Sequence, residues 1–282
     1  MRRLAVMDAS AGRRRAQVTE RDRRVLEFIA EHRLVLGGHV QALLGISHSA
    51  AGKRLRALVA DGLLCTETVF HRHPACFRIT RQGLALIGSQ LPTPKLDYRS
   101  YAHDVGVGWV WLAASHGCFG PLAEVISERE MRSRDGVERH RASAGGAGDR
   151  RASFGVPLSR LRAGGGLQTH YPDLLLVDPA GRRIAVELEL TPKGRARREK
   201  IIGGYAADVR IDAVLYLVQD ARIARSIQAT ARQFGFEQRV HVQPVRFGAG
   251  QVPAGLSAHR ERGVAVPAHR PRGTASEPEL AR

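Results

Sequence analysis

Between residues 19 and 90, apolar positions recur at helical spacing in three successive stretches. Val25, Leu26, Phe28 and Ile29 line one side of the first, behind a capping box in which Thr19 serves the first amides and Asp22 reaches back. Gly37-Gly38 is expected to break the chain, and Val40, Leu43 and Leu44 then mark a short second helix. Ser47 caps a third helix, whose buried stripe is Ala51, Leu55, Leu58 and Val59 and which Gly62 ends. The period then changes. Residues 63–70 read as a strand, His71-Arg72-His73-Pro74 as a turn and residues 76–80 as a returning strand, after which Thr80-Arg-Gln-Gly83-Leu opens one more helix.

The rest of the chain alternates differently. Residues 101–116 predict an apolar helix closed by Gly117, and residues 122–127 a short strand leading into Glu128-Arg-Glu130-Met131. Residues 173–177 and 184–190 predict two antiparallel strands joined by the turn Asp178-Pro-Ala-Gly181. In the second of these, Ile184, Val186, Leu188 and Leu190 face apolar packing while Glu187 and Glu189 share the opposite face. Thr191-Pro192 is expected to open a basic helix carrying Lys193, Arg195, Arg197, Arg198 and Lys200, with Ile201, Ile202 and Tyr205 turned inward. A core strand over 212–218, a helix over 222–233 and a last strand over 240–245 follow. The class expected is α/β (α+β): a helical module with a hairpin over residues 19–95, then a mixed-sheet domain over 96–247. Residues 132–168 read as a flexible surface insertion, residues 1–18 as a disordered basic arm, and residues 248–282, rich in Gly, Pro, Arg and Ser, as a disordered tail.

Charge narrows the partner. Across 282 residues the net charge is +17, supplied mainly by Arg, and such an excess repels itself unless a polyanion is near. Three cysteines make no disulfide framework and suit a reducing compartment, while Cys65, His71, His73 and Cys76 have none of the common structural zinc spacings. With no signal-peptide pattern and no apolar run long enough to cross a bilayer, the location expected is cytoplasmic, with no membrane partner. No phosphate-binding glycine loop or nucleophile elbow occurs, so the kinase, ATPase and hydrolase readings have no support. On the third helix Ser49, Lys53 and Arg56 fall at i, i+4 and i+7, away from the apolar stripe. With Ser47, Arg54 and the hairpin residue Arg72 they make a surface suited to double-stranded DNA.

The order helix, short helix, helix, hairpin, helix resembles the winged-helix superfamily, as do the phrases Leu55-Arg-Ala-Leu58-Val-Ala-Asp-Gly62-Leu and Phe77-Arg-Ile-Thr80-Arg-Gln-Gly83. A carboxylate at one strand start, Asp173, beside others on the neighbouring strand, Glu187 and Glu189, can share a divalent cation that activates water and neutralises phosphate. This pattern is similar to the PD-(D/E)XK nuclease fold. The resemblance implies Asp173 and Glu187 as ligands of Mg2+ or Mn2+ and a metal-dependent endonuclease that nicks DNA. Glu189 stands where that motif carries Lys; Lys193 is the residue able to replace it, and Asp104 or Glu124 could supply a further acid. Together with His103-Asp104, Ile126-Ser-Glu-Arg-Glu-Met-Arg132 and Val186-Glu-Leu-Glu-Leu-Thr-Pro-Lys193, these features resemble the replication-relaxation family, DNA-binding proteins of plasmids, phages and integrative elements. A second reading stays open: a non-catalytic winged-helix transcriptional regulator whose α/β domain senses a ligand or forms a homodimer.

Overall fold

The computed structural model describes residues 18–143, 154–161 and 167–247. The expected tail, and the expected arm apart from Val18, lie outside the described residues. Helix α1 (Glu20–Glu31) begins as its sequence requires: the Thr19 hydroxyl accepts the Asp22 amide, and Asp22 Oδ2 accepts the Thr19 amide at 2.8 Å. A two-residue strand β1 (Val35–Leu36) leads into α2 (Gly37–Leu44), and Gly45, at φ 63°, turns the chain toward α3 (His48–Ala60). Gly37 and Gly38 therefore start a helix, correcting the expected break, which falls earlier. There the Leu36 amide donates to His39 Nδ1 at 2.9 Å, and Val35 and Leu36 pair with Phe77 and Cys76. Strands β2 (Leu64–Glu67) and β3 (Cys76–Ile79) form the hairpin, and α4 (Arg81–Leu86) follows with Thr80 as its cap. The three strands make an antiparallel sheet in the order β1-β3-β2.

The second part begins with α5 (Tyr101–Ser115), β4 (Glu124–Ser127) and α6 (Glu128–Ser143). The hairpin β5 (Val156–Leu161) and β6 (Leu167–His170) precedes β7 (Leu174–Val177) and β8 (Arg183–Glu189). Helix α7 (Arg195–Ala207), β9 (Ala213–Val218), α8 (Ala221–Gln233) and β10 (Val240–Pro244) complete it. Five strands form one mixed sheet in the order β10-β9-β8-β7-β4. Strands β4, β7 and β8 run antiparallel, while β8, β9 and β10 are parallel. The molecule is thus a mixed α/β protein: N-terminal helices with a small antiparallel sheet, then helices around a five-stranded mixed sheet.

Both faces of that sheet are covered. Leu175, Ala185, Val214, Tyr216 and Val218 pack against Ile201, Ile202 and Tyr205 of α7 and Ile223 and Ile227 of α8. Leu174, Leu176, Val186, Leu188 and Leu217 pack against Val110, Ala113 and Ala114 of α5. Helix α5 is apolar on its other side too, where Trp109 and Leu112 join the core of α1, α2 and α3. A helix apolar on two sides must be buried on both, and α5 achieves this by lying between the two parts. At Gly106 an added Cβ would come 2.6 Å from Leu188 Cδ2, so any side chain there would force Leu188 to shift where α5 packs on β8.

The expected flexible insertion over 132–168 is corrected in part. Helix α6 continues through residue 143, and the β5–β6 hairpin docks on α7, where Gly204 admits Pro157 and Leu158. Buried Asp135 anchors the return by accepting the amides of Phe154 and Gly155, the latter at 2.9 Å. Residues 144–153 and 162–166 lie outside the described residues.

Arg54 is held inward. Its guanidinium donates to both carboxylate oxygens of Asp22 and, at 3.2 Å, to the Thr19 hydroxyl. Asp22 is only 1 % exposed, so a partner from α3 neutralises the capping acid of α1. Arg54→Ala is expected to lower stability by about 2–3 kcal/mol, because it strands that carboxylate. Chemical denaturation should show this as a fall in midpoint; an unchanged midpoint would mean that the bidentate pair contributes nothing.

Candidate functional site

The register of β7 and β8 decides what can meet at their end. Leu174 pairs with Val186, so one residue further Asp173 stands across from Glu187, and directly opposed residues share a face. Asp173 is fixed by its own backbone, its amide donating to the Val186 carbonyl at 3.0 Å and its carbonyl accepting from Glu128 at 3.1 Å. Its carboxylate Oδ2 accepts the Leu188 amide at 2.7 Å, between the two glutamates in sequence. Strand alternation turns Glu187 and Glu189 toward α7, where they are 1 % and 2 % exposed. They do not form a solvated strand face.

Buried carboxylates need partners, and Glu187 has three. His170, at the end of β6, donates through Nε2 to Oε1 at 2.5 Å, and Tyr205 of α7 donates its hydroxyl to the same oxygen at 2.6 Å. Lys193 Nζ donates to Oε2 at 3.2 Å. Burial works against the charge of Glu187, but His170 and Lys193 outweigh it and hold its carboxyl well below the usual carboxylate range. Burial also works against the ammonium of Lys193, while Glu187, Asp173 and Glu189 raise its pKa above the ordinary value. Burial and the neighbouring Glu187 push the Tyr205 hydroxyl well above its ordinary range, so it remains a donor.

Glu189 is held differently. Its Oε1 accepts the Lys193 amide at 3.1 Å, whereas its buried Oε2 accepts no hydrogen bond and lies 3.5 Å from Lys193 Nζ. This local contact corrects the expected helix start at Thr191-Pro192. The chain must first bend so that Lys193 returns over Glu189, and α7 begins only at Arg195, with Gly194 at its N-cap.

Asp173 is also joined to α5. His103 Nε2 lies 3.1 Å from Asp173 Oδ2 and its Nδ1 3.7 Å from Asp104 Oδ1. A cavity of about 30 Å3 opens beside them, lined also by Glu31 at the end of α1, by His32 and Arg33 just after it, and by Arg129. Two buried atoms on its wall, Asp104 Oδ2 and His32 Nε2, have no hydrogen-bond partner. Burial, followed by the neighbouring Glu130, raises Glu31 to about 7. The C-terminus of α1 therefore ends against the acid cluster, where Arg129 Nε donates to the Ala30 carbonyl at 3.0 Å and Arg33 pairs with Glu128 at 2.9 Å.

The structure thus brings together Asp173, Glu187, Glu189 and Lys193, with Asp104 reached through His103. Glu124 does not join them: it pairs across from Val177, at the far end of β7, and bonds to Arg134. His103, His170 and Tyr205 are roles that sequence reasoning missed. His170 carried a signal, standing three residues before Asp173; Tyr205 carried none beyond its apolar spacing. The α3 surface is separate. Ser47 caps α3 by accepting the Ala50 amide at 3.3 Å, and Ser47, Ser49, Lys53 and Arg56 are exposed. Arg72 is exposed in the hairpin loop at φ 63°, beside Phe70, whose ring packs 5.2 Å from that of Tyr101.

Mg2+ and Mn2+ take oxygen donors, which these carboxylates supply, but the donors are already in use. Among the described residues no group of three or more His, Cys, Asp and Glu is arranged to hold a metal ion. The space between Glu187 and Glu189 is filled by the Lys193 ammonium, so the folded arrangement does not fit a bound divalent cation. No helix among the described residues is long and apolar enough to cross a membrane. Compared with family models, curated proteins and solved structures, the chain finds no match.

Burial opposes protonation of His103, but Asp173 and Asp104 prevail and raise it to about 10. A histidine raised on folding stabilises the fold fully below its ordinary value near 6.5, and that stability is lost as pH rises through the folded value. Thermal unfolding of the parent chain is therefore expected at progressively lower temperature between about pH 6.5 and 10. His103→Asn should flatten this slope; an unaltered slope would show that the bridge to Asp173 carries no charge.

Proposed function

We propose that this chain binds double-stranded DNA through residues 19–95 acting as a winged helix-turn-helix, with α3 as recognition helix and the β2–β3 hairpin as wing. The observation that carries the reading is the division of α3. Ala51, Leu55 and Leu58 are locked in the core, while Ser47, Ser49, Lys53 and Arg56 stand exposed along the outer side. Hydroxyl and cationic groups on a rigid helix, beside an exposed loop carrying Arg72, suit phosphate and base-edge contacts. The engagement of Arg54 with Asp22 assigns that residue to seating α3 on α1 rather than to DNA.

For residues 96–247 we propose a restriction-endonuclease-like domain. Its order of α5 and β4, then, after α6 and the β5–β6 hairpin, β7, β8, α7 and β9, and the acid pair opposed across β7 and β8 support this. Its role in the chain as folded is architectural, because Lys193, His170 and Tyr205 satisfy the acids that cleavage would need open. That observation favours a DNA-binding factor of the replication-relaxation type, or a winged-helix regulator, over a nicking enzyme. Supercoiled plasmid incubated with the chain and Mg2+ or Mn2+ is expected to stay intact; nicking that disappears in Asp173→Ala would return catalysis to this site.

DNA affinity should fall steeply with salt, as phosphate contacts release counterions. Lys53→Ala and Arg56→Ala should each weaken binding and reduce the slope of log affinity against log salt by about 1 where a phosphate contact is lost. Fluorescence anisotropy with labelled duplex measures both. A double variant that binds like the parent at every salt concentration would remove α3 from the interface.

A further inference from the structure

Helix α8 packs Ile223, Ile227 and Ala231 against the sheet and turns Arg222, Arg225, Gln228, Ala229 and Arg232 to solvent. With 3.6 residues per turn, the three arginines fall within one arc of roughly 80° and extend about 15 Å along the axis. The helix, ARIARSIQATARQ, contains no acid. Among the described residues, none of these three guanidinium groups has a hydrogen-bond or ion-pair partner. Asp220 is committed to the cap, accepting the Arg222 amide at 2.6 Å, and Glu237 shares a cleft with Arg232 without pairing with it. Helix α6 treats its charge differently: Arg132 is neutralised by Glu128 and Arg134 by Glu130, each one turn earlier. Side chains three or four apart on a helix are neighbours, so Arg222 and Arg225 repel where an acid at that spacing would have relieved them.

We propose that the outer face of α8 is a second phosphate-binding surface, which holds a duplex DNA segment other than the one on α3, so that one chain bridges two segments. The bridging rests on the reading of α3 as a DNA-binding helix; the contact at α8 does not. Helix α8 covers one face of the five-stranded sheet, whereas α3 joins the core that α5 shares from the other face. The sheet and α5 therefore stand between the two cationic surfaces. A stripe about 15 Å long reaches phosphates on both sides of a groove about 12 Å wide. Within its arc, Ala229 is exposed and adds little bulk, which leaves room for a sugar–phosphate backbone. Guanidinium groups set on phosphates hold DNA without reading its sequence, and each contact releases counterions.

The test is a sandwich assay with the full chain, in which one duplex is fixed to beads and a second, fluorescent duplex of unrelated sequence is captured only through the protein. The parent is expected to capture it. A triple variant, Arg222→Gln with Arg225→Gln and Arg232→Gln, should lower that capture at least about tenfold while the chain stays on the bead-bound duplex. Arg132→Gln with Arg134→Gln and Arg182→Gln removes as many charges from arginines already paired with acids, and should change capture by less than about twofold. Gln228→Glu keeps every arginine and places an acid four residues before Arg232 and three after Arg225. It should strengthen the helix and still reduce capture, which a purely structural role of α8 would not produce. Capture that survives the α8 triple variant, as when two copies of the chain each hold one duplex on α3, would overturn the proposal. Equal losses in both triple variants, or a parent that captures no second duplex, would do the same. Failure of the α3 reading shows elsewhere, as Lys53→Ala with Arg56→Ala binding a single duplex like the parent, so the two failures are distinguishable.

Discussion

A carboxylate buried in a protein interior has to be neutralised where it stands, and Glu187 sets that demand at the end of the central sheet. What answers it comes from three places in the chain. Lys193 arrives from the bend after β8, Tyr205 from the second half of α7, and His170 from the end of the β5–β6 hairpin. Across the strand pair, Asp173 is tied to the Leu188 amide and, through His103, to α5. The position of α7, the docking of the hairpin and the bend at Lys193 are thus parts of one electrostatic solution. An apolar side chain at position 187 would need none of them, and such clusters are where function concentrates in folded proteins.

Helix α5 extends that solution to the N-terminal part. It packs one side on β7 and β8 and gives the other to Phe28, whose ring lies 5.2 Å from that of Trp111, and to His39, which reaches the Val105 carbonyl at 3.2 Å. Arg33 and Arg129 cross between the parts as well. The helix proposed to contact DNA is therefore carried on a module whose α1 ends beside the acids. Anything that repositions His103 acts on both parts, because His103 and Trp109 share α5.

Much of this was legible in residue order. The Thr19–Asp22 box, the stripe of α3, the turn at Asp178 and the division of β8 into an apolar and an acidic face each follow from local chemistry that tertiary packing leaves in place. What was not legible depended on partners far along the chain. Arg54 reads as one more cation beside Lys53 and Arg56, and only the fold shows that Asp22, 32 residues earlier, claims it. Helix α7 starts late because Glu189 holds the Lys193 amide, against the local preference for Pro at a first helical position. The β5–β6 hairpin was hidden by the Gly- and Arg-rich segments around it, which suggest a loop even though Val156 and Leu158 are buried. At the site, spacing identified the acids but could not show that the cation beside them is a lysine of the same chain.

The pairing of Glu187 with Lys193 holds the site together. A double-mutant cycle of Glu187→Gln and Lys193→Met, read by denaturant unfolding, measures it directly, because the cycle cancels whatever each change does alone. A favourable coupling above about 1 kcal/mol is predicted, each single variant costing more than its share of the double. Additivity to within about 0.5 kcal/mol would mean that the two groups do not sense each other, and the account of the site would be contradicted.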